Sequence, residues 1–222
     1  EIFFASEPII QVEAPIVEAQ ILETFLLSTL NIASLVATKA ARVVQAAAAD
    51  GLKRGVIDFG SRRAHGSHAA ILAARAAYIG GCLGTSNVYA GKNFGIPLYG
   101  TMAHSWVEAF DQEEESFRKY HAVFPESTVL LIDTYDSLEA IRKIIRSDLG
   151  RTIKGVRLDS GDLEVLSKKA RKMLDEGNLR HVKIIASGNL NEYKIRDLVK
   201  RKAPIDMFGV GTDMVTSRDL PA

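Results

Sequence analysis

A single cysteine, Cys82, excludes an internal disulfide and any multi-cysteine metal site, and it suits a reducing compartment, here the cytoplasm. No charge of one sign prevails. The 28 Lys and Arg stand against 27 Asp and Glu, which argues against a nucleic-acid partner. Anion chemistry must therefore come from local clusters such as Arg62-Arg63, with His65 and His68 nearby. The apolar runs are broken by Glu, Lys, Arg or Asn, so no membrane-spanning helix is expected. G-x-G-x-x-G opening a helix and G-x-x-x-x-G-K-[ST] are both missing, which removes the two common nucleotide fingerprints. An initiator methionine is missing too. The chain starts EIFFASEPII and reads as a piece of a longer polypeptide, in which a targeting peptide can be neither found nor excluded.

What is present is an ordinary globular composition, 47% hydrophobic and 25% charged, over 222 residues, enough for one large α/β core. Residues 1–14 carry strand-like residues among prolines and read as the end of a preceding small domain or as an edge strand. Residues 15–222 form the main domain. Pro15 opens a long helical pattern, apolar on most faces and so expected between layers. From residue 56 a unit recurs: short apolar run, polar or glycine-rich exit, amphipathic helix. The later runs start at 128, 155, 182 and 207, the near-even spacing that successive βα units require. Weaker starts lie at Tyr78–Leu83 and Pro97–Tyr99. About seven parallel strands, each with a distinctive polar exit, favour an irregular TIM-like α/β barrel over a doubly wound sheet, because a barrel gathers every exit on one face.

That face would hold Arg62, Arg63 and His65; Thr85, Ser86 and Asn87; His104; Asp133 and Asp136; Arg157, Asp159 and Asp162; Ser187 and Gly188; Gly211 and Thr212. Arginines supply bidentate donors for phosphate, and small residues expose backbone N–H groups at helix starts. Asp133, Asp159 and Asp162 suit ribose hydroxyls or a magnesium ion, which needs few protein carboxylates. A phosphorylated sugar is the expected ligand. Each member has a plainer reading. Arg62-Arg63 reads also as a solvated pair, Asp159-Ser160 and Ser187-Gly188-Asn189 as helix caps, and His104 as a structural histidine. Asp136 and Ser137 read as caps, His121 and His181 as unpartnered surface residues, and Trp106, Phe110, Phe117 and Tyr120 as core. Convergence of one residue type on one place in nearly every unit favours a site.

DFGSRRAHG, IGGCLGTSNVYAG, GIPLYGTMAHSW, LLIDTYD, GVRLDSGDL, IIASGNL and DMFGVGT together resemble the nicotinate phosphoribosyltransferase family, in order from residue 56 to the end. The resemblance implies an irregular α/β barrel with a second domain, working as a homodimer with shared active sites. It implies transfer of the 5-phosphoribosyl group of phosphoribosyl pyrophosphate (PRPP) to the ring nitrogen of nicotinate, on the route to NAD, with magnesium and with ATP as a coupling substrate. By position, Phe59 would pack on the pyridine and Arg62 or Arg63 would lie by the nicotinate and phosphates. Arg157 and Asp159 would take the phosphate and ribose side of PRPP, and Asp133 the ribose or magnesium. Ser187-Gly188 and Gly211-Thr212 would cradle the 5-phosphate, and His104 matches a histidine phosphorylated when ATP hydrolysis is coupled. Nicotinamide-using relatives carry an acid in the stretch matching Gly84-Thr85-Ser86; Ser86 here favours a carboxylate substrate. The alternatives are a nicotinamide-specific enzyme or, for the chain alone, a non-catalytic phosphate-binding module. Because the resemblance places an aromatic from the partner's N-terminal region over the pyridine, residues 1–222 alone are expected to turn over poorly.

Overall fold

The computed structural model describes residues 2–217, so the outermost ends of both expected segments, residue 1 and residues 218–222, lie outside the described residues. A long helix, α1 (Ile16–Ala47), is followed by β1 (Gly55–Asp58), a 3₁₀ turn over Ser61–Arg63, α2 (Ser67–Ile79), β2 (Gly84–Thr85) and α3 (Val88–Phe94). Then come α4 (His104–Glu108), α5 (Glu113–Val123), β3 (Val129–Leu131), α6 (Ser137–Arg146), β4 (Gly155–Leu158), α7 (Leu163–Glu176), β5 (Lys183–Ala186), α8 (Glu192–Lys200), β6 (Met207–Val210) and α9 (Thr212–Thr216). The strands are short apolar runs buried on both faces, as helix-covered parallel strands must be. Side chains of Asn87, Asp136, Asp162 and Asn191 cap α3, α6, α7 and α8, satisfying amides that the first helical turn leaves unpaired.

All pairings are parallel, in the order β2-β1-β6-β5-β4-β3. The first strand pairs with the last, Val56 opposite Phe208, and the order never reverses around the ring. That is barrel winding, not the switch of a doubly wound sheet. Among the described residues six strands stand where seven were expected, and the curled sheet stays open between β2 and β3. The two weak starts account for the difference. Tyr78 and Ile79 finish α2, while Leu98 makes only one parallel bridge, to Thr85, because Pro97 beside it has no N–H to extend a ladder. Residues 2–14 contain no helix or strand.

Pro15 stands at the N-cap of helix α1, one residue before its start, but only the second half of the helix is between layers. Val36, Ala40, Val43, Ala46 and Ala47 are buried, whereas Ile16, Val17, Ile21 and Phe25 are 64–74% exposed. Asn31 and Lys39 interrupt the apolar run of α1 as expected, but they do not lower its hydropathy below that of a membrane-spanning helix. Between Glu23 and Arg42 the only charge is Lys39, and by length and hydropathy the helix is apolar enough to cross a membrane. The aromatic group divides likewise: Phe117 is buried, while Trp106, 37% exposed, stacks edge-on with Phe110 and Tyr120 across α4 and α5. His121 is not unpartnered; its ring lies 2.9 Å from Thr128 Oγ1 and 3.2 Å from Thr152 Oγ1.

Lys39 Nζ lies 2.9 and 3.1 Å from the two carboxylate oxygens of Glu192, with both side chains almost fully buried. The pair locks α1 to the start of α8. Lys39→Met should cost about 3–5 kcal/mol, because a buried carboxylate loses its counter-charge. The double change Lys39→Met with Glu192→Leu should recover most of that loss. Urea unfolding of the three proteins checks the expectation, and equal stability of the single and double variants would contradict it.

Candidate active site

Every strand of this sheet ends on the same side, so residues far apart in sequence meet where the strands stop. Arg157, in the last turn of β4, is the centre. Its Nε donates to Ser187 Oγ at 2.7 Å, one terminal nitrogen to Thr101 Oγ1 at 2.7 Å and the other to Asp159 Oδ1 at 2.6 Å. Its guanidinium lies over the Phe59 ring, 5.3 Å from the centroid, a cation–π contact. Ser187 also donates to Asp159 Oδ1. Burial pushes the Asp159 carboxyl up, but the Arg157 charge, the hydrogen bonds from Ser187 and Arg157, and His104 outweigh it and hold it below the ordinary aspartate range.

Two loops come close enough to demand glycine. Gly188 has φ +97°, and a Cβ there would sit 1.9 Å from the Asp159 carbonyl oxygen. A Cβ on Gly209 would meet the Phe59 ring at 2.5 Å. Backbone is thus packed against backbone and ring under the site, which keeps Asp159 and Phe59 in place.

Two adjoining cavities share Phe59, Arg62, Arg157 and Asp159. The larger, 480 Å³, is bounded also by Ser86, Leu131 and residues 100–105, beside the opening between β2 and β3. His104 stands on its wall, with Nδ1 3.1 Å from Thr134 Oγ1 and Nε2 3.6 Å from Asp159 Oδ2. The smaller, 210 Å³, is lined by Arg63, Ser187, Gly188, Asn189, Gly209, Gly211 and Thr212 in addition to the shared residues.

Not every expected residue reaches these cavities. Thr85 is fully buried; its hydroxyl donates to Asp58 Oδ2 at 2.7 Å and accepts from the Asn87 amide, so it braces the loop from below. Asp58, 1% exposed, has its carboxyl pushed up by burial, against the hydrogen bonds from Thr85 and Gly60. Asp162 is a helix cap on α7, outside both cavities. Among the described residues, no three His, Cys, Asp or Glu side chains are grouped to hold a metal, so the expected trio of Asp133, Asp159 and Asp162 does not form a cage. Asp133 also lines neither cavity, but one of its carboxylate oxygens is left unpaired among the described residues. Its Oδ2 accepts from the Asp159 amide and Ser160 Oγ, while its buried Oδ1 has no hydrogen-bond partner. One carboxylate is enough for magnesium, which takes its other ligands from water and substrate phosphates. Thr101, Thr134, Asp58 and Ser61 are not among the expected site residues, although Asp58 and Ser61 stand in DFGSRRAHG. Thr101 and Thr134 adjoin residues already singled out, in GTMAHSW and LLIDTYD, and that was the only signal.

The model of the Nicotinate phosphoribosyltransferase (NAPRTase) family matches residues 55–219. A nicotinate phosphoribosyltransferase of Mycobacterium tuberculosis, pncB2, is 48% identical over 225 residues, covering 100% of this chain and 48% of its own length. That of Bacillus subtilis is 49% identical over 235 residues, covering 100% and 45%. Among solved structures, human nicotinic acid phosphoribosyltransferase is similar with a TM-score of 0.79 at 28% identity, over 89% of this chain and 51% of that one. Nicotinate-nucleotide pyrophosphorylase from Pyrococcus furiosus is similar with a TM-score of 0.77 at 32% identity, over 87% and 49%. The chain spans about half the length of the curated relatives it matches.

The depressed carboxyl of Asp159 has a defined pH consequence. Its folded form is more acidic than its unfolded form, so its stabilising contribution is present above the ordinary aspartate range and is lost as pH falls through the folded value. A carbon-13 titration should show Asp159 protonating at lower pH than a free aspartate. Arg157→Ala should raise that midpoint; an unchanged midpoint would contradict the assignment. Gly188→Ala should displace the turn at Asp159 and cost about 1–3 kcal/mol of stability, measured by urea unfolding.

Proposed function

The chain belongs to the nicotinate phosphoribosyltransferase family, and from that premise we propose that the protein containing it moves the 5-phosphoribosyl group of PRPP onto the ring nitrogen of nicotinate. The products are nicotinate mononucleotide, for NAD synthesis, and pyrophosphate. The observation that carries this reading is the pair of cavities meeting at Phe59, Arg62, Arg157 and Asp159. One has an aromatic wall for a pyridine; the other has arginines and small residues for a phosphate.

In this reading Arg62, Arg63 and the backbone of Gly188, Gly211 and Thr212 hold the 5-phosphate, and Phe59 supports the pyridine. Arg157, already fixed on three nitrogens, keeps two N–H groups for PRPP oxygens. Asp133 would hold magnesium through its unpartnered Oδ1, and the ion, when bound, offsets the charge of the departing pyrophosphate. Loss of pyrophosphate leaves an oxocarbenium-like anomeric carbon. Asp159 lies close enough to stabilise it electrostatically, while the two cavities hold the ring nitrogen in line. That nitrogen carries no proton, so no general base is required. Ser86 on the wall of the larger cavity favours nicotinate, since an aspartate there would repel the substrate carboxylate. We assign coupling to ATP through phosphorylation of His104, a cytoplasmic location, and a homodimer as the working unit. The exposed apolar half of α1 supports a fold in which further polypeptide covers this chain, so residues 1–222 alone are expected to be weak or inactive.

The test is product formation by the full-length protein with PRPP and magnesium, offered nicotinate or nicotinamide, with and without ATP. Mononucleotide from nicotinate with a boost from ATP is the expected result. Arg157→Ala should lower kcat/KM about a hundredfold or more. Ser86→Asp should depress the use of nicotinate more than that of nicotinamide. Product from nicotinamide alone would reverse the substrate assignment, and phosphate binding without product would leave a binding module.

A further inference from the structure

Thr85 does not reach the cavity that its neighbour Ser86 lines: it is fully buried, and Asp58 beside it is 1% exposed. A buried hydroxyl and a buried carboxylate are costly unless they are bonded. These two are bonded to each other, Thr85 Oγ1 to Asp58 Oδ2 at 2.7 Å, and to both sides of the larger cavity. On one side Thr85 Oγ1 accepts from the Asn87 amide at 3.0 Å, and the Asp58 carbonyl accepts from the Ser86 amide at 2.9 Å. Ser86 is therefore the middle residue of a turn closed by the hydroxyl that precedes it. On the other side Asp58 Oδ1 accepts from the Gly60 amide at 2.8 Å, in the turn that carries Phe59 and Arg62. The link does not depend on the charge of Asp58. An ionised carboxylate accepts the Thr85 proton, and a protonated one donates to the same hydroxyl oxygen, which still has a lone pair for the Asn87 amide.

We infer that Thr85 and Asp58 are positioning residues for Ser86: they fix its turn against the turn of Phe59 and Arg62, and so set the fit of the pyridine carboxylate between Ser86 and Arg62. The inference rests on the reading of Ser86 given above. Thr85 can be tested without dismantling the strand. Its N–H donates to the Pro97 carbonyl at 3.1 Å and its carbonyl accepts from the Tyr99 amide at 3.0 Å, and both bonds survive removal of the hydroxyl. Ser86 lines the larger cavity and not the smaller, whereas Phe59 and Arg62 line both. Loss of the Thr85 hydroxyl should therefore be felt by nicotinate far more than by PRPP. A residue that only stabilised the fold would affect the two substrates alike.

The experiment uses the full-length protein with Thr85→Val, which removes the hydroxyl at nearly constant shape, and Thr85→Ser, which keeps it. Amide hydrogen exchange at Ser86 reports how firmly the turn is held, without any turnover. Steady-state kinetics report the KM for nicotinate and for PRPP separately. Thr85→Val should raise the nicotinate KM about tenfold and leave the PRPP KM within about twofold of its original value. Exchange at Ser86 should quicken, and Thr85→Ser should restore both readouts. Thr85→Ala, which keeps the same backbone bonds, should show the same split if the valine protein does not fold. A folded variant with an unchanged nicotinate KM, or with both KM values raised equally, would overturn the inference. A wild type that makes no product from nicotinate would end the transferase reading instead, and exchange at Ser86 alone would then decide whether Thr85 holds the turn.

Discussion

The guanidinium of Arg157 is held on three nitrogens and one face, and the site is organised around that restraint. Its four contacts come from four separate parts of the chain: Phe59 after β1, Thr101 before α4, Asp159 after β4 and Ser187 after β5. An arginine tethered at one point keeps most of its rotamer freedom, and ordering it on binding would cost entropy. Here that cost is met in folding, and the remaining donors of the fork are aimed before any ligand arrives. The same carboxylate that holds Arg157 also faces His104, so the walls of the two cavities share one charge.

This arrangement depends on the sheet. Parallel strands with the first beside the last bring the exits of β1, β4, β5 and β6 onto one rim. Close approaches at Gly188 and Gly209 then set the height of the loops above that rim. Where β2 and β3 fail to pair, the rim is open, and the larger cavity lies beside the opening with residues 100–105 along its edge.

Much of this was legible in the sequence where local pattern and burial coincide. Strands β4 and β6 begin at the first residues of their apolar runs, because such a run has no use for an exposed face. β2 was misplaced because two residues carry no periodicity, and its identity depends on pairing with Ile57 and Asp58, far away in sequence. The same limit applies to side chains. Thr85 and Ser86 look alike in a polar exit, yet one is buried under Asp58 and the other lines the cavity. The cap reading fell on Asp159-Ser160 and the ligand reading on Asp162, yet Asp162 is the cap, because only the placement of the loop decides which acid meets the Val165 amide. Thr101 and Thr134 became visible only as neighbours of Arg157 and His104 in space. In α1, composition revealed an apolar helix but not how much of it the rest of the chain is long enough to cover.

That helix also governs how the chain moves through water. It is anchored from Val36 onward, and the stretch from Ile16 to Asn31 extends beyond that anchor for about 24 Å at 1.5 Å per residue. A body with such a rod attached drags more solvent than a sphere of equal mass. The isolated chain should therefore diffuse and tumble as a larger, asymmetric particle. Its rotational anisotropy, rather than its mass, would report whether the rod is folded against something else.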